Sequence, residues 1–240
     1  MLRLGLGAGR ATGKYLLVLG WLAALLTTAA CGGSTPSASA LLKGAQQKFN
    51  QTTAMHFVLV VEHPGKPQPG DYVITSATGD VKRPDSLSSE VGVDAGIFST
   101  SVKIIIIGSK QYWTDPTNGG QWTPTTEFSN LPIVKLFDPT TGIGTLLTQL
   151  QQPSAPADGS ANGVACWKIS GALTPGALTP LFPDITATKP VPTSFCVDKS
   201  NGRLDSASLT GPIFGGDLDN TVHTFYFSKF DEQISIQPPV

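Results

Sequence analysis

Residues 102–123 read VKIIIIGSKQYWTDPTNGGQWT, and this stretch decides the fold class. Val102 to Ile107 is almost entirely β-branched and too short to make a good helix. Gly108-Ser109 interrupts it, and Lys110–Thr114 resumes an extended pattern. Asp115–Gly120 then supplies Pro, Asn and Gly for a second turn before Gln121–Thr123. Short extended runs punctuated by turn residues describe a meander of antiparallel strands.

The same grammar extends in both directions. Upstream, Ala54–His63 places Phe57, Leu59 and Val61 on one face, while Val58 and Val60 make the other face apolar at its centre. Strands are predicted at Tyr72–Thr78, Ser86–Val91 and Gly96–Ile107, where Val102, Ile104 and Ile106 form a second one-sided row. Ahead of them, Leu42, Ala45 and Phe49 fall at helical spacing, which predicts a helix over about Ser39–Gln51. Downstream, Asp138-Pro139 has the form of an N-cap followed by proline at the first helical position. Ile143, Leu146, Leu147 and Leu150 recur at i, i+3, i+4 and i+7 behind it, the stripe of an amphipathic helix. A Ser/Ala/Gly/Pro loop then runs to about Asn162.

Strands resume at Val164–Ser170 and Pro192–Asp198, with GALTPGALTP (171–180) between them as a loop or one short helix. Asn201-Gly202 is a tight-turn signal leading into Arg203–Thr210. Thr221–Phe230 and Gln233–Ile236 are the last predicted strands. The implied class is α+β: a large, curved antiparallel sheet covered by a few helices. Two apolar surfaces that face each other in this way can leave a cavity between them.

The N-terminus reads as export. Arg3, Arg10 and Lys14 precede a dozen apolar residues, Tyr15–Leu26, which is signal length and short of the roughly 20 residues needed to span a bilayer. Thr27-Thr28-Ala29-Ala30 then leads to Cys31-Gly32-Gly33. Small residues before a cysteine resemble a bacterial lipobox, with Thr28 where Leu is usual. The expectation is a signal peptide over 1–30, a lipidated Cys31 heading a flexible tether over 31–37, and one domain over 38–240. Such a protein is held on the outer face of the cell membrane by its N-terminal lipid. Ordinary secretion with cleavage nearby is the competing reading.

Without residues 1–30 the chain carries thirteen basic and seventeen acidic residues, about −4, with no basic block. Nucleic acid is therefore an unsuitable partner. Cys166 and Cys196 remain as a pair in an oxidising compartment. Each alternates with apolar neighbours (Trp167 and Ile169; Phe195 and Val197), so a cross-strand disulfide on the polar outer faces of two strands fits both. Catalysis finds little support. His56, His63 and His223 lack metal-ligand spacing and read as exposed strand histidines. Asp217-Leu218-Asp219-Asn220 has calcium-loop spacing, but Ser228 stands where the twelfth-position Glu should be, so a polar hairpin tip is the better reading. No catalytic residue, metal site or cofactor is expected. Gly5, Gly7 and Gly9 mimic a dinucleotide fingerprint inside the signal peptide, without a preceding strand.

The order of segments, from the lipobox cysteine through IIIIGSKQYWTDPTNGGQW, FDPTTGIGTLL, GVACWKISG and VPTSFCVDKSNGRL to FYFSKFDEQISIQPP, resembles the LppX/LprA/LprF/LprG lipoproteins of mycobacteria. The resemblance covers most of residues 37–240. It implies a half-barrel similar to the LolA/LolB carriers, with a hydrophobic cavity for the acyl chains of lipids or lipoglycans and a possible envelope export partner. The candidates for lining such a cavity are Phe57, Leu59, Val61, Val102, Ile104, Ile106, Ile143, Leu146, Leu147 and Leu150. The alternative is a sensor or adaptor of the same fold with a filled interior and a protein partner.

Overall fold

Eleven strands align in one antiparallel sheet in the computed structural model, which describes residues 35–68, 71–126 and 134–239. They are β1 (Ala54–Glu62), β2 (Val73–Lys82), β3 (Ser86–Asp94), β4 (Ser99–Ile107), β5 (Lys110–Asp115), β6 (Gln121–Pro124), β7 (Ala157–Ala161), β8 (Val164–Leu173), β9 (Val191–Asp198), β10 (Leu204–Thr210) and β11 (Val222–Ser228). Their order is β6-β5-β4-β3-β2-β1-β11-β10-β9-β8-β7, two meanders joined where the first strand pairs with the last. The sheet is open, with β6 and β7 at its edges. Residues 36–240 form one compact unit.

Period-2 burial sorts the faces. On β1, Met55, Phe57 and Val61 are buried on the inner face, while Val60 stands 38% exposed on the outer one. Helix α1 (Ala38–Gln51) lays Leu42, Ala45 and Phe49 into the inner core, and Ser37 caps it by accepting the Ala40 N–H. Its C-terminal carbonyls meet the Arg83 guanidinium, which donates to Phe49 O (2.7 Å), Asn50 O (3.2 Å) and Thr52 O (2.5 Å) through Nη1. The Nε of Arg83 reaches Phe137 O at 2.5 Å, so one cation ties the helix end to the 134–137 turn. Burial lowers the pKa of this guanidinium from its ordinary value.

Three predicted elements come out differently. The helix expected behind Asp138-Pro139 is broken into a 3-10 turn (Val134–Phe137), one α turn, α2 (Ile143–Leu146), and a 3-10 turn (Leu147–Gln149). The Asp138 carboxylate accepts from the backbone and hydroxyls of Thr140 and Thr141 at 2.7–3.0 Å. The Gly142 N–H closes back on Asp138 O, so a turn forms where the helix was to start. Those bonds hold the carboxyl down at about 2. Residues 157–161, read as loop, form β7. Asn162 and Gly163, at φ 48° and 80°, make the tight turn that pairs it with β8. Gln233–Ile236 is not a strand: the chain leaves β11 through Lys229 and Asp231, both at positive φ (48° and 60°). GALTPGALTP contributes a single turn, α3 (Pro175–Leu178), capped by Thr174.

Cys166 and Cys196 are disulfide-bonded, with their Cα atoms 5.4 Å apart. Cys166 faces Asp198 and Lys168 faces Cys196, so the bond runs diagonally between β8 and β9. The pair lies on the outer side as expected, yet both residues are buried, packed with Ala161 and against Tyr226.

Candidate functional site

A cavity of about 550 Å³ lies on the inner face of the sheet. Its floor comes from β1, β2, β3, β10 and β11; its cover comes from Leu136-Phe137, Leu181–Asp184 with Thr186, and the β10–β11 loop. The register explains the empty space. Leu59 faces Ala77, which faces Val91; Phe57 faces Gly79, which faces Ser89. Ala77 on β2 and Ser89 on β3 are thus small residues in an otherwise bulky floor, and both line the cavity, whereas at Gly79 the strands approach so closely that a Cβ would come within 2.3 Å of Ser88 O. A cavity of this size falls within the roughly 300–1,000 Å³ usual for small-molecule sites.

A bulge shapes the mouth. On β2, Ile74 pairs with Val93 and Ser76 with Gly92, so Thr75 is an extra residue that shifts the alternation. Ile74 thereby lines the cavity although it is 41% exposed, and Tyr72 beside it lines the cavity at 57% exposure.

The β10–β11 loop is clipped down by one carboxylate. Asp217 Oδ2 accepts the N–H of Ile213 (3.1 Å) and of Phe214 (2.8 Å), and lies 2.9 Å from His223 Nε2. Both side chains of that pair are under a tenth exposed. The Phe214 ring sits edge-on to Phe182 and to His223, and the Thr186 N–H donates to Ile213 O, joining the two covering loops. His223 is thus a buried clasp rather than an exposed strand histidine, and Asp217 is its partner rather than part of a polar tip. Both line the cavity. The remaining histidines have other surroundings. His56 Nδ1 lies 2.7 Å from Asp80 Oδ1 in a shallow outer-face groove of about 240 Å³, and His63 is exposed just past β1.

Of the ten side chains proposed to line a cavity, Phe57 and Leu59 do so. Val61, Val102, Ile104 and Ile106 are buried on β1 and β4 away from it. Ile143, Leu146, Leu147 and Leu150 belong to the solid core, in the segment that packs on α1. The hollow therefore sits under the loops, not under the helices. Phe225 and Leu209, unnamed from sequence, line it from β11 and β10. Cys31 lies outside the described residues.

Charge perturbation concentrates elsewhere. Asp205, 8% exposed at a bulge in β10, is pushed up to about 7 by burial and then by the nearby Asp198. Among the described residues no group of three or more His, Cys, Asp or Glu could hold a metal ion. No described helix is long and apolar enough to cross a membrane.

A family model described as LppX_LprAFG lipoprotein matches residues 37–236. The chain belongs to this family. Among relatives, the lipoarabinomannan carrier protein LprG of Mycobacterium tuberculosis is 24% identical over 216 residues, 87% of this chain and 85% of that protein. The crystal structure of LprF from Mycobacterium bovis superposes with a TM-score of 0.65 at 15% identity, covering 84% of this chain and 96% of that one. LppX from Mycobacterium tuberculosis gives 0.59 at 19% identity, covering 83% and 98%. In this member of the family the sheet is open, antiparallel and eleven-stranded, with few helices.

Proposed function

We propose that this chain is an exported, lipid-anchored carrier that takes acyl chains of lipids or lipoglycans into its inner-face cavity. In this reading Cys31 bears the anchor, residues 31–37 are the tether, and the domain works at the outer face of the cytoplasmic membrane without catalysing a reaction. The observation that carries it is the 550 Å³ cavity, floored by Phe57, Leu59, Val91, Leu209 and Phe225 and opening past Tyr72 and Ile74. A space of this size is within the range that holds a small ligand's apolar chain. Clustering of small residues against large ones in the floor keeps this volume free of the protein's own atoms. A relative named as a lipoarabinomannan carrier supports lipoglycans as the cargo class, with the acyl part inside and the polar part outside.

The test is native mass spectrometry of the purified protein, with titration of a fluorescent long-chain fatty acid. Co-purifying lipid, or saturable uptake at one site per chain, is expected. Absence of both would refute the carrier reading.

A further inference from the structure

Exposed apolar side chains are not scattered over this molecule. Among the described residues seven large ones stand exposed, and five gather at one end of the sheet: Tyr72 (57%), Ile74 (41%), Ile97 (92%), Phe98 (54%) and Leu218 (50%). Strand pairing makes the first four neighbours. Val73 faces Asp94 and Asp94 faces Ser99, so the start of β2 lies beside the β3–β4 hairpin, whose tip is closed by Ala95 N–H to Phe98 O. The loop carrying Leu218 reaches the same end. A Cβ on Gly216 would lie 3.4 Å from Val73 Cγ1 and 3.1 Å from Lys66 O, and one on Gly96 would lie 3.4 Å from Pro67. Tyr72 and Ile74 also line the cavity, so the exposed rim continues into its interior.

We propose that this rim is a bilayer-docking surface, with the Ile97-Phe98 hairpin tip and Tyr72 seated among lipid headgroups so that the cavity mouth opens onto acyl chains. The inference deepens the carrier reading and rests on it. Aliphatic and aromatic residues at a hairpin tip suit the interfacial zone of a membrane. A docked mouth lets an acyl chain pass from bilayer to cavity without exposing its methylenes to water. A stable protein partner would bury roughly 800 Å² per side, more than five partly exposed side chains offer. The charged residues around the rim include Glu62, Asp71, Asp94, Asp184 and Asp219 against Lys66, so anionic headgroups are not the attraction. Docking is apolar, and neutral lipid suffices.

The decisive measurement uses the full exported protein with phosphatidylcholine vesicles whose acyl chains carry bromine, a short-range quencher of indole fluorescence. Phe98→Trp should lose clearly more fluorescence than the parent protein, whereas Val164→Trp, exposed at the opposite end, should not. Equal quenching of the two variants would overturn the proposal. In a second arm, Ile97→Asp combined with Phe98→Asp should slow uptake of a fluorescent fatty acid from vesicles at least tenfold. Uptake of the same probe from dilute aqueous solution should be unchanged. An unchanged vesicle rate would also overturn docking. Failure of uptake from both sources in the parent would instead sink the carrier reading, while the quenching comparison still decides whether the rim meets lipid. Adding phosphatidylglycerol or salt should leave the quenching unaltered; dependence on either would replace the apolar mechanism with an electrostatic one.

Discussion

Replacing Ala77 with tryptophan asks the cavity directly whether it is empty. Ala77 sits on the floor between Leu59 and Val91 and lines the hollow. An indole brings on the order of 150 Å² of apolar surface. Buried in vacant apolar space at about 25 cal/mol per Å², that surface would stabilise the chain by up to about 4 kcal/mol. Ordering of the side chain and imperfect fit reduce the gain to roughly 0–2 kcal/mol. If the space were instead occupied by protein atoms, the same ring would overpack the core and cost about 1–3 kcal/mol. The two situations therefore differ in sign. Urea unfolding with an unchanged m-value reads the stability, and a fluorescent fatty acid reads the site. We expect Ala77→Trp to be as stable as the parent or more so, with acyl uptake reduced at least tenfold. A destabilised variant, or one that is stable and still binds the probe normally, refutes the assignment of this cavity.

Four further outcomes follow from groups outside the cavity. Asp205 is raised from the ordinary 3.8 to about 7, so the native state holds its proton more tightly than the unfolded chain. Its stabilising contribution is complete below about pH 4, is lost as pH rises to 7, and is absent above. At about 1.4 kcal/mol per pH unit the ceiling is about 4 kcal/mol, and about 2 kcal/mol is expected after local relaxation. Asp205→Asn should therefore be more stable than the parent at pH 8 and equal to it near pH 4, as read by urea midpoints; a flat difference would refute the assignment. The carboxyls of Asp138, Asp198 and Asp231 are lowered, so their contributions are present above pH 4 and vanish as pH falls through their native values. Opening Cys166–Cys196, thirty residues apart, should cost about 3–4 kcal/mol in the chain-entropy model, seen as a lowered Tm under reductant. Arg83→Met should cost about 3–5 kcal/mol, because four carbonyls lose a charge-assisted donor in a half-buried place; a loss under 1 kcal/mol would show that water replaces it.

What the sequence made legible is what repeats locally. Alternation in 54–63 and 102–107, and the Asn-Gly turn at 201–202, located strands because side-chain period and turn chemistry act within a few residues. The segment 157–161, Ala-Asp-Gly-Ser-Ala, carries no apolar alternation and is a strand only because Asn162-Gly163 folds it against β8. The stripe Ile143–Leu150 was real as a buried face but not as a continuous helix. Gly144 packs so closely under α1 that a Cβ there would come within 2.4 Å of Asn50 Oδ1, and Asp138 spends its carboxylate on two threonines. The Asp217–His223 clasp joins a loop to the adjoining strand, and no periodicity announces such a bond.

The position of the hollow was the largest difference, and its cause is physical. Apolar rows such as Val102-Ile104-Ile106 mark an inner face, but a bulky row packed against bulky neighbours fills its own space. Vacancy arises instead where small residues, Ala77 on β2 and Ser89 on β3, stand among large ones such as Phe57, Leu59 and Val91. It persists because the covering loops are held at a fixed height by Asp217 and the Phe182–Phe214–His223 edge contacts. Small residues on two paired strands are therefore a better sign of the cavity in this chain than the most hydrophobic strand. That sign becomes readable only once the pairing of β1, β2 and β3 is known.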